Sequence, residues 1–287
     1  MRTQARFATC AAVLVVLALP AKAEILRGIG SDGRLWDVDT RSGEVDFVSR
    51  RISSANSLAR TPDGLHWTIF SWNGGSGTSP NQLISFDRAG LIVDQIDISH
   101  SIDGVRSLTF DAALGAFVVS SLSGAGGIDA GLLWRVDRDN GEAHFLGETG
   151  DETVAQGMTT AADGEIHGFF ASALVSPAVG GLVGIDPITG VLDDFSTAPD
   201  QLPTNAVQPF QSLAYGSDGT LYGVTLLKLG HDDFRDAIYT IDPVTGAESL
   251  LHVLDGRYDF RGVEVVPAPP TAALLGLVLL AARRSRA

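Results

Sequence analysis

The stretch that decides the fold is "SLAYGSDGTLYGVT" at residues 212–225. Two apolar runs flank Asp218-Gly219, and this pattern is typical of a β-hairpin. Related stretches start at Ser57, Ser107 and Gly157, and they read "SLARTPDGLHWTIF", "SLTFDAALGAFVVS" and "GMTTAADGEIHGFF". A truncated fifth copy, "GVEVVP", starts at Gly262. The starting positions are 50, 50, 55 and 50 residues apart, so the hairpin is one half of an internal repeat.

A second recurring stretch forms the other half of the repeat. Its five copies are "RLWDVDTRSGEV", "QLISFDRAGLIV", "LLWRVDRDNGEA", "GLVGIDPITGVL" and "AIYTIDPVTGAE". Each contains one aspartate before a turn, and these five anchor aspartates are Asp39, Asp87, Asp137, Asp186 and Asp242. An aspartate here can accept hydrogen bonds from turn amides, and the glycine that follows can take a positive φ. The pattern therefore predicts turn capping at these aspartates and not a catalytic carboxylate cluster.

Each repeat reads as four short strands, which we call a to d, and a period near fifty with four strands indicates a β-propeller. The chain first supplies strands b, c and d in "ILRGIGSDGRLWDVDTRSGEVDFVSR", without a strand a. The last copy, at residues 262–266, supplies a lone strand a. Pairing of these two ends would close the ring and remove an exposed sheet edge. The sequence thus predicts an all-β, five-bladed propeller over residues 24–266, with six blades as the alternative if an insertion hides another.

The repeats also carry a weak family resemblance. The recurring "DG-x-LY" and "ID-x-x-TG" stretches resemble those of gluconolactonase-type and YVTN-repeat propellers. The Gly-His and Trp-Asp pairs of WD40 repeats are not found, and no double glycine stands at the place expected for kelch repeats. The resemblance implies a propeller, and any activity taken from it would rest on analogy between folds.

The N-terminus, "MRTQARFATCAAVLVVLALPAKAE", has the features of a signal peptide over residues 1–23. Arg2 and Arg6 precede an apolar run, and Ala21 and Ala23 form a small-x-small cleavage site. A membrane anchor is the alternative, but the run is short for a span of about 20 residues. Cys10, the only cysteine, lies in this peptide. The mature domain would therefore contain no disulfide and no thiolate ligand.

The C-terminus, "VPAPPTAALLGLVLLAARRSRA", combines a Pro-rich spacer, an apolar run and an arginine cluster. The run of twelve residues at 271–282 is too short to cross about 30 Å of hydrocarbon comfortably. The arrangement resembles the PEP-CTERM sorting tail, although Ala268 stands where that family has glutamate. The matching residues are Val266, Pro267, Pro269, Arg283, Arg284 and Arg286.

This resemblance implies that an exosortase-like enzyme recognises the tail at residues 267–287 and delivers the protein to the cell surface or extracellular matrix. Contact with the inner membrane would then be made only through the tail, either transiently or as a retained anchor. A simple C-terminal membrane anchor is the alternative.

Charge restricts the partners of the domain between these two ends. Each end segment carries three basic residues and no acidic residue, so residues 24–266 hold 14 basic and 34 acidic side chains. The formal charge of this domain is −20. Such a surface repels nucleic acid and anionic lipid. It could attract divalent cations or a basic partner.

Two sets of residues in the irregular loops are candidates for a site. His231 beside Asp232, Asp233 and Asp236 could ligate Ca²⁺ or another divalent cation, and the alternative is a solvated acidic loop. The second set, which could hold an anionic or sugar ligand or pair with nearby aspartates, is Arg106, Arg257 and Arg261.

The histidines of strand b have a simpler interpretation. His66 and His167 occupy a repeat position that holds an aromatic residue in two other copies. They are therefore expected to pack between blades rather than to bind a metal.

No catalytic motif is evident in the sequence. The first hypothesis is an exported, non-catalytic propeller that binds a polysaccharide or a protein at the face formed by its b–c and d–a loops. The second is a metal-dependent propeller hydrolase or lactonase. Convergence of three or more carboxylate or imidazole groups in the fold would favour the second hypothesis.

Overall fold

The structure of the protein is a computed structural model. It describes residues 24–52, 55–70, 81–123, 130–149, 153–172, 180–194, 205–207 and 210–266. The predicted signal peptide, with Ala21 and Ala23, lies outside these residues. So do most residues of the predicted tail signal, namely Pro267, Pro269, Arg283, Arg284 and Arg286. Within the described ranges, no helix is long and apolar enough to span a bilayer.

The described residues contain twenty β-strands. In chain order they are β1 Ile25–Gly30, β2 Arg34–Asp39, β3 Val45–Arg50, β4 Ala59–Arg60, β5 His66–Phe70, β6 Gln82–Phe86, β7 Ile92–Asp97, β8 Val105–Asp111, β9 Ala116–Ser123, β10 Ala130–Asp137, β11 Ala143–Glu148, β12 Thr153–Thr160, β13 Ile166–Ser172, β14 Gly180–Ile185, β15 Leu192–Asp194, β16 Ser212–Tyr215, β17 Leu221–Lys228, β18 Phe234–Ile241, β19 Glu248–Val253 and β20 Phe260–Val266.

These strands form five antiparallel sheets of four strands, and each sheet is one blade. Blade I has the order β20-β1-β2-β3, and blade II has β4-β5-β6-β7. Blades III, IV and V contain β8 to β11, β12 to β15 and β16 to β19 in the same sequential order. The five-bladed propeller predicted from the repeat is confirmed, and the six-bladed alternative is wrong because each repeat forms one blade.

The ring closes as predicted, through pairing of the first and last strands. In the β1–β20 ladder, Ile25 lies opposite Val266, and Arg27 lies opposite Glu264. Val266 is only 5% exposed. Val266 belongs to the predicted sorting signal, and it is also the last residue of the closing strand. An enzyme that recognises the tail would therefore have to contact residues beyond Val266.

The predicted turn chemistry is present in every blade. At the c–d turn of blade I, Asp39 accepts hydrogen bonds from the amides of Arg41 and Ser42, at 2.7 and 3.0 Å. Asp137, Asp186 and Asp242 cap their turns in the same way. Asp87 instead accepts from the amide of Leu91 at 2.8 Å. All five anchor aspartates are thus occupied by turn amides, as their position in the repeat predicts.

The hydrophobic core is divided among the five boundaries between neighbouring blades. At the boundary of blades II and III, for example, Trp67 packs with Phe117 at 5.5 Å between ring centroids. At the boundary of blades V and I, Tyr222 shares a cluster with Val263 and Phe260. The other three boundaries each hold a similar cluster of buried apolar side chains. Each blade therefore buries its faces only when both neighbours are in place.

The first strands of the blades contact one another around the axis of the ring. Ser107 Oγ accepts a hydrogen bond from the amide of Met158 in the next blade, at 2.7 Å. Ser212 Oγ accepts one from the amide of Val263 in the same way, at 2.8 Å. Gly262 occupies the same repeat position as these serines, and a Cβ there would lie 2.1 Å from the backbone nitrogen of Leu58. The backbones of blades I and II are thus too close for any side chain at this position.

We expect Gly262→Ala to destabilise the domain by about 2 kcal/mol, because the added methyl group meets backbone that cannot rotate away. A change of this size should lower the melting temperature by roughly 4–8 °C in a domain of this length. Thermal unfolding followed by circular dichroism measures the effect. The matched control is Gly256→Ala, where the nearest atom to an added Cβ lies at 3.5 Å. Equal melting temperatures for the two variants would contradict the close approach of blades I and II.

Candidate functional site

The b–c and d–a loops meet on one face of the ring, which we call the loop face. The amide of Val207, in the d–a connection between blades IV and V, donates to the carbonyl of Leu226 in strand b. Asn81, before strand c of blade II, donates through Nδ2 to the carbonyl of Ile102 in a d–a connection, at 2.5 Å. Of the loops on this face, residues 71–80, 124–129, 173–179 and 195–204 lie outside those that the structure describes.

The predicted metal ligands near His231 are not brought together. His231 and Asp232 are 96% and 92% exposed and contact each other at 3.0 Å. Asp233 forms an ion pair with Arg235, with N–O distances of 2.9 and 3.2 Å. This outer part of the loop is therefore arranged as a solvated acidic turn.

Asp236 has a separate, buried environment at the start of β18. It is 2% exposed, and its carboxylate accepts hydrogen bonds from the amides of Tyr258, Asp259 and Phe260 at 2.6, 3.0 and 3.2 Å. Burial raises the pKa of Asp236, while the three amides act in the opposite direction. The residue thus fastens the d–a connection between blades V and I to blade V, and its oxygens already have partners.

The described residues contain no group of three or more histidine, cysteine, aspartate or glutamate side chains placed to hold a metal ion. The geometry therefore gives no support to the interpretation of His231, Asp232, Asp233 and Asp236 as one site. Sequence adjacency suggested the cluster, but Asp236 lies inside a blade while His231 and Asp232 project into solvent.

The three candidate arginines lie in different elements. Arg106 is partly buried in β8 of blade III, Arg257 lies in the connection between blades V and I, and Arg261 lies in β20. Arg257 lies over the ring of Phe234, with 5.8 Å to the centroid. Arg261 pairs with Asp259 at 3.0 Å, in agreement with the alternative that it pairs with a nearby aspartate.

The strand-b histidines are buried at the boundaries between blades. His167 is 6% exposed, and its Nδ1 lies 2.5 Å from the hydroxyl of Tyr215 in the next blade. His66 is 1% exposed, and burial together with Arg27, Arg60 and Arg88 lowers its pKa to about 3. Both histidines therefore remain within the interior, in accord with the packing role expected of them.

A group of charged side chains lies beside His66 where blades I and II meet. Arg27, 2% exposed, donates to both oxygens of Asp37 at 2.9 Å and to the carbonyl of Arg88 at 2.8 Å. Glu264 lies opposite Arg27 in the β1–β20 ladder. Burial raises the pKa of Glu264 to about 8, although the Arg60 cation acts to lower it. These contacts connect the closing strand to blade II and thereby stabilise the closed ring.

The boundary of blades I and II also contains an open groove of about 510 Å³ on the loop-face side. Blade I contributes Arg50, Arg51 and Ile52, which end β3 and begin the following connection. Blade II contributes Phe70, Gln82, Ile84 and Gln95. The lining thus combines two guanidinium groups, two amides and an aromatic ring.

At one cross-strand pair beside the groove, blade II lacks the two aromatic side chains that blades I and III have. Blade I has the pair Trp36 and Phe47, with ring centroids 5.3 Å apart, and blade III has Trp134 and Phe145, at 5.2 Å. The equivalent pair in blade II is Ile84 and Gln95. Two aromatic rings are thereby replaced by smaller side chains at the boundary with blade I.

The groove was not predicted from the sequence, although a signal for it was available in the repeat. Ile84 stands three residues before anchor Asp87, as Trp36 and Trp134 stand before theirs. Gln95 stands eight residues after Asp87, which is the position that Phe47 and Phe145 occupy relative to their own anchors.

No family model matches the chain, and no curated protein matches it. Among solved structures, the xyloglucan-locus protein GH43B of Bacteroides ovatus has a TM-score of 0.52 at 15% identity, over 85% of this chain and 57% of that protein. A Lactobacillus plantarum protein has a TM-score of 0.44 at 11% identity, over 85% of this chain and 99% of its own. A Bacteroides uniformis protein provisionally named 6-phosphogluconolactonase has 0.39 at 10% identity, over 81% and 82%.

At these identities, structural likeness shows a shared fold alone. The GH43B match supports the propeller architecture, and the chain spans little more than half the length of that protein. The other two matches have TM-scores too low to carry an argument about activity. The site must therefore be judged from the residues of this chain.

We expect Asp236→Ala to destabilise the domain by about 3 kcal/mol, because three amides would lose their acceptor in a buried position. Urea unfolding, with and without Ca²⁺, measures the effect. The control Asp232→Ala changes an exposed carboxylate and should alter the free energy of unfolding by less than about 0.5 kcal/mol. A loss of stability in Asp236→Ala that appears only when Ca²⁺ is present would instead assign the residue to a metal site.

The raised pKa of Glu264 predicts a pH dependence of stability. The folded state holds the proton up to about pH 8, whereas the unfolded chain releases it near 4.5. The free energy of unfolding should therefore fall as pH rises through this interval. Glu264→Gln removes this contribution. The difference in melting temperature, variant minus parent, should therefore increase from pH 5 to pH 8. The control Glu44→Gln, at an exposed turn, should follow the parent, and parallel curves for all three proteins would contradict the assignment.

Proposed function

We propose that this protein is an exported β-propeller that binds an extracellular polysaccharide or surface protein, without transforming it. The groove between blades I and II is the observation that carries the proposal. Its volume of about 510 Å³ lies within the range of about 300–1,000 Å³ that is usual for ligand sites. Its position on the loop face matches the surface that the repeat leaves free to vary.

The lining of the groove suits recognition by hydrogen bonds and apolar contact. Arg50 and Arg51 present guanidinium donors, and Gln95 presents an amide that can both donate and accept. Phe70 and Ile84 offer apolar surface beside these polar groups. A saccharide has hydroxyl groups at its edge and an apolar ring face, so of the two ligand classes a polysaccharide fits this lining better.

The alternative, a metal-dependent hydrolase or lactonase, has no specific support from the described residues. The carboxylates that could serve it are capping turns, pairing with arginines or fastening a loop. A thermal-shift scan of residues 24–266 with divalent cations tests this alternative, since an ion that binds the folded state must raise the melting temperature.

Export is the second part of the proposal. Signal peptidase would cut after Ala23, and an exosortase-like enzyme would act on the tail beyond Val266. The fold supports this arrangement, because β1 begins at Ile25 and β20 ends at Val266. Both cuts would therefore leave all twenty strands in the mature domain. Mass spectrometry of the protein from its native host tests whether the mature termini lie at these positions.

A phenylalanine at position 95, as at the equivalent positions of blades I and III, should fill the groove. We expect Gln95→Phe to weaken polysaccharide binding at least 10-fold. A glycan array on residues 24–266, followed by calorimetric titration of the best polymer, measures the effect.

The matched control for this experiment is Phe47→Gln, which makes the reverse change at the boundary of blades V and I, where Phe47 is 57% exposed. It should leave affinity unchanged. If the domain bound no polysaccharide and no surface extract, the proposed function would be refuted. If Gln95→Phe bound the polysaccharide with the same affinity as the parent, the groove would not be the binding site.

A further inference from the structure

The groove presents two adjacent arginines whose guanidinium groups are open to a ligand. Arg50 and Arg51 are both exposed, and neither forms an ion pair with a carboxylate among the described residues. Arg34, Arg138, Arg235 and Arg261, by contrast, each form an ion pair with an aspartate, at distances between 2.5 and 3.1 Å. Two neighbouring cations therefore face the groove in a domain where acidic side chains outnumber basic ones by 34 to 14.

We propose that Arg50 and Arg51 bind carboxylate groups of the ligand, so that the groove selects a short acidic saccharide segment of the uronate type. This inference rests on the proposed function and specifies its ligand class. Arginine presents a planar fork of donors that matches a carboxylate in a bidentate geometry. The carboxylates of the ligand would take the place that aspartates take at Arg34, Arg138 and Arg235.

The rest of the lining favours a saccharide over another acidic ligand. Gln82 Nε2 donates to Asp97 Oδ1 at 2.7 Å, which orients its amide at the edge of the groove. Gln95 is exposed on the neighbouring strand. Amides of this kind can accept hydrogen bonds from sugar hydroxyls and can donate hydrogen bonds to them. Phe70 supplies an apolar wall for the face of a sugar ring.

The net charge of the domain limits the length of the acidic ligand. A formal charge of −20 repels a long polyanion, which would extend beyond the groove. At physiological ionic strength this repulsion is screened beyond about 8 Å, so a carboxylate within the groove interacts mainly with the nearby arginines. A ligand with one or two carboxylates between neutral sugars therefore fits the site better than a densely charged polymer.

The experiment compares four soluble probes of similar size by isothermal titration calorimetry at 150 mM salt. The probes are a galacturonate trisaccharide in which one galacturonate lies between two neutral sugars, neutral maltotriose, a sulfated trisaccharide and a triglutamate peptide. The proteins are the domain 24–266, which contains every strand of the ring, its double variant R50Q/R51Q and the groove-filling variant Q95F. A matched control, R41Q/R88Q, removes the same charge from two exposed arginines outside the groove.

We expect the galacturonate trisaccharide to bind at least 10-fold more tightly than the other three probes. R50Q/R51Q and Q95F should each lose at least 10-fold in affinity for it, while R41Q/R88Q should bind as the parent does. All the substituted residues are exposed, and melting temperatures equal to that of the parent exclude a loss through unfolding.

The contrary results separate this inference from the proposed function. One contrary result is that maltotriose binds more tightly than the galacturonate trisaccharide, and that this binding is abolished in Q95F but unchanged in R50Q/R51Q. This result would overturn the acidic specificity and keep the groove as a binding site. Equal binding of the three acidic probes would overturn it in favour of non-selective anion attraction. Absence of binding by all probes, together with an empty glycan array, would overturn both proposals.

Discussion

The whole structure depends on the pairing of β1 with β20. The domain has no cysteine, so this ladder is the link that joins the two ends of the ring. Each hydrophobic cluster lies between two blades, and none lies within a single blade. If the ladder opened, blades I and V would lose the cluster that contains Tyr222, Val263 and Phe260. Because a four-stranded blade cannot bury its own faces, closure of the ring and stability of the blades are one condition.

Most of the fold could be predicted because its signals are local and are repeated five times. The anchor aspartates show the turns that end strand c, and hairpin glycines such as Gly64 and Gly219 take φ values of 89° and 85° as that turn requires. A single weak turn signal would be ambiguous, but five in a common register are not. Ring closure could be predicted because the chain begins with strand b and ends with strand a. Each of these strands lacks its partner within its own repeat, so the two can pair with each other.

The candidate site could not be predicted in the same way, because it depends on contacts between different repeats. The groove joins the end of β3 to side chains of β5, β6 and β7 in the next blade. Asp236 illustrates the opposite error. It was grouped with His231 because the two are close in the chain, yet the start of strand β18 carries Asp236 into the interior to meet the amides at residues 258–260. Proximity in sequence is a poor guide where a loop enters a strand.

Ring closure also explains why the groove remains open. In an ordinary core, the loss of two aromatic rings would be partly compensated by movement of the neighbouring elements. Here the backbones of blades I and II already meet at Gly262 and Leu58 near the axis, and the ladder of β1 with β20 fixes blade I in the ring. The two blades cannot approach further to fill the space beside Ile84 and Gln95. The smaller side chains of this pair therefore leave an open groove between two blades that are held in place by the ring, and a preformed groove of this kind lowers the cost of ordering a ligand site.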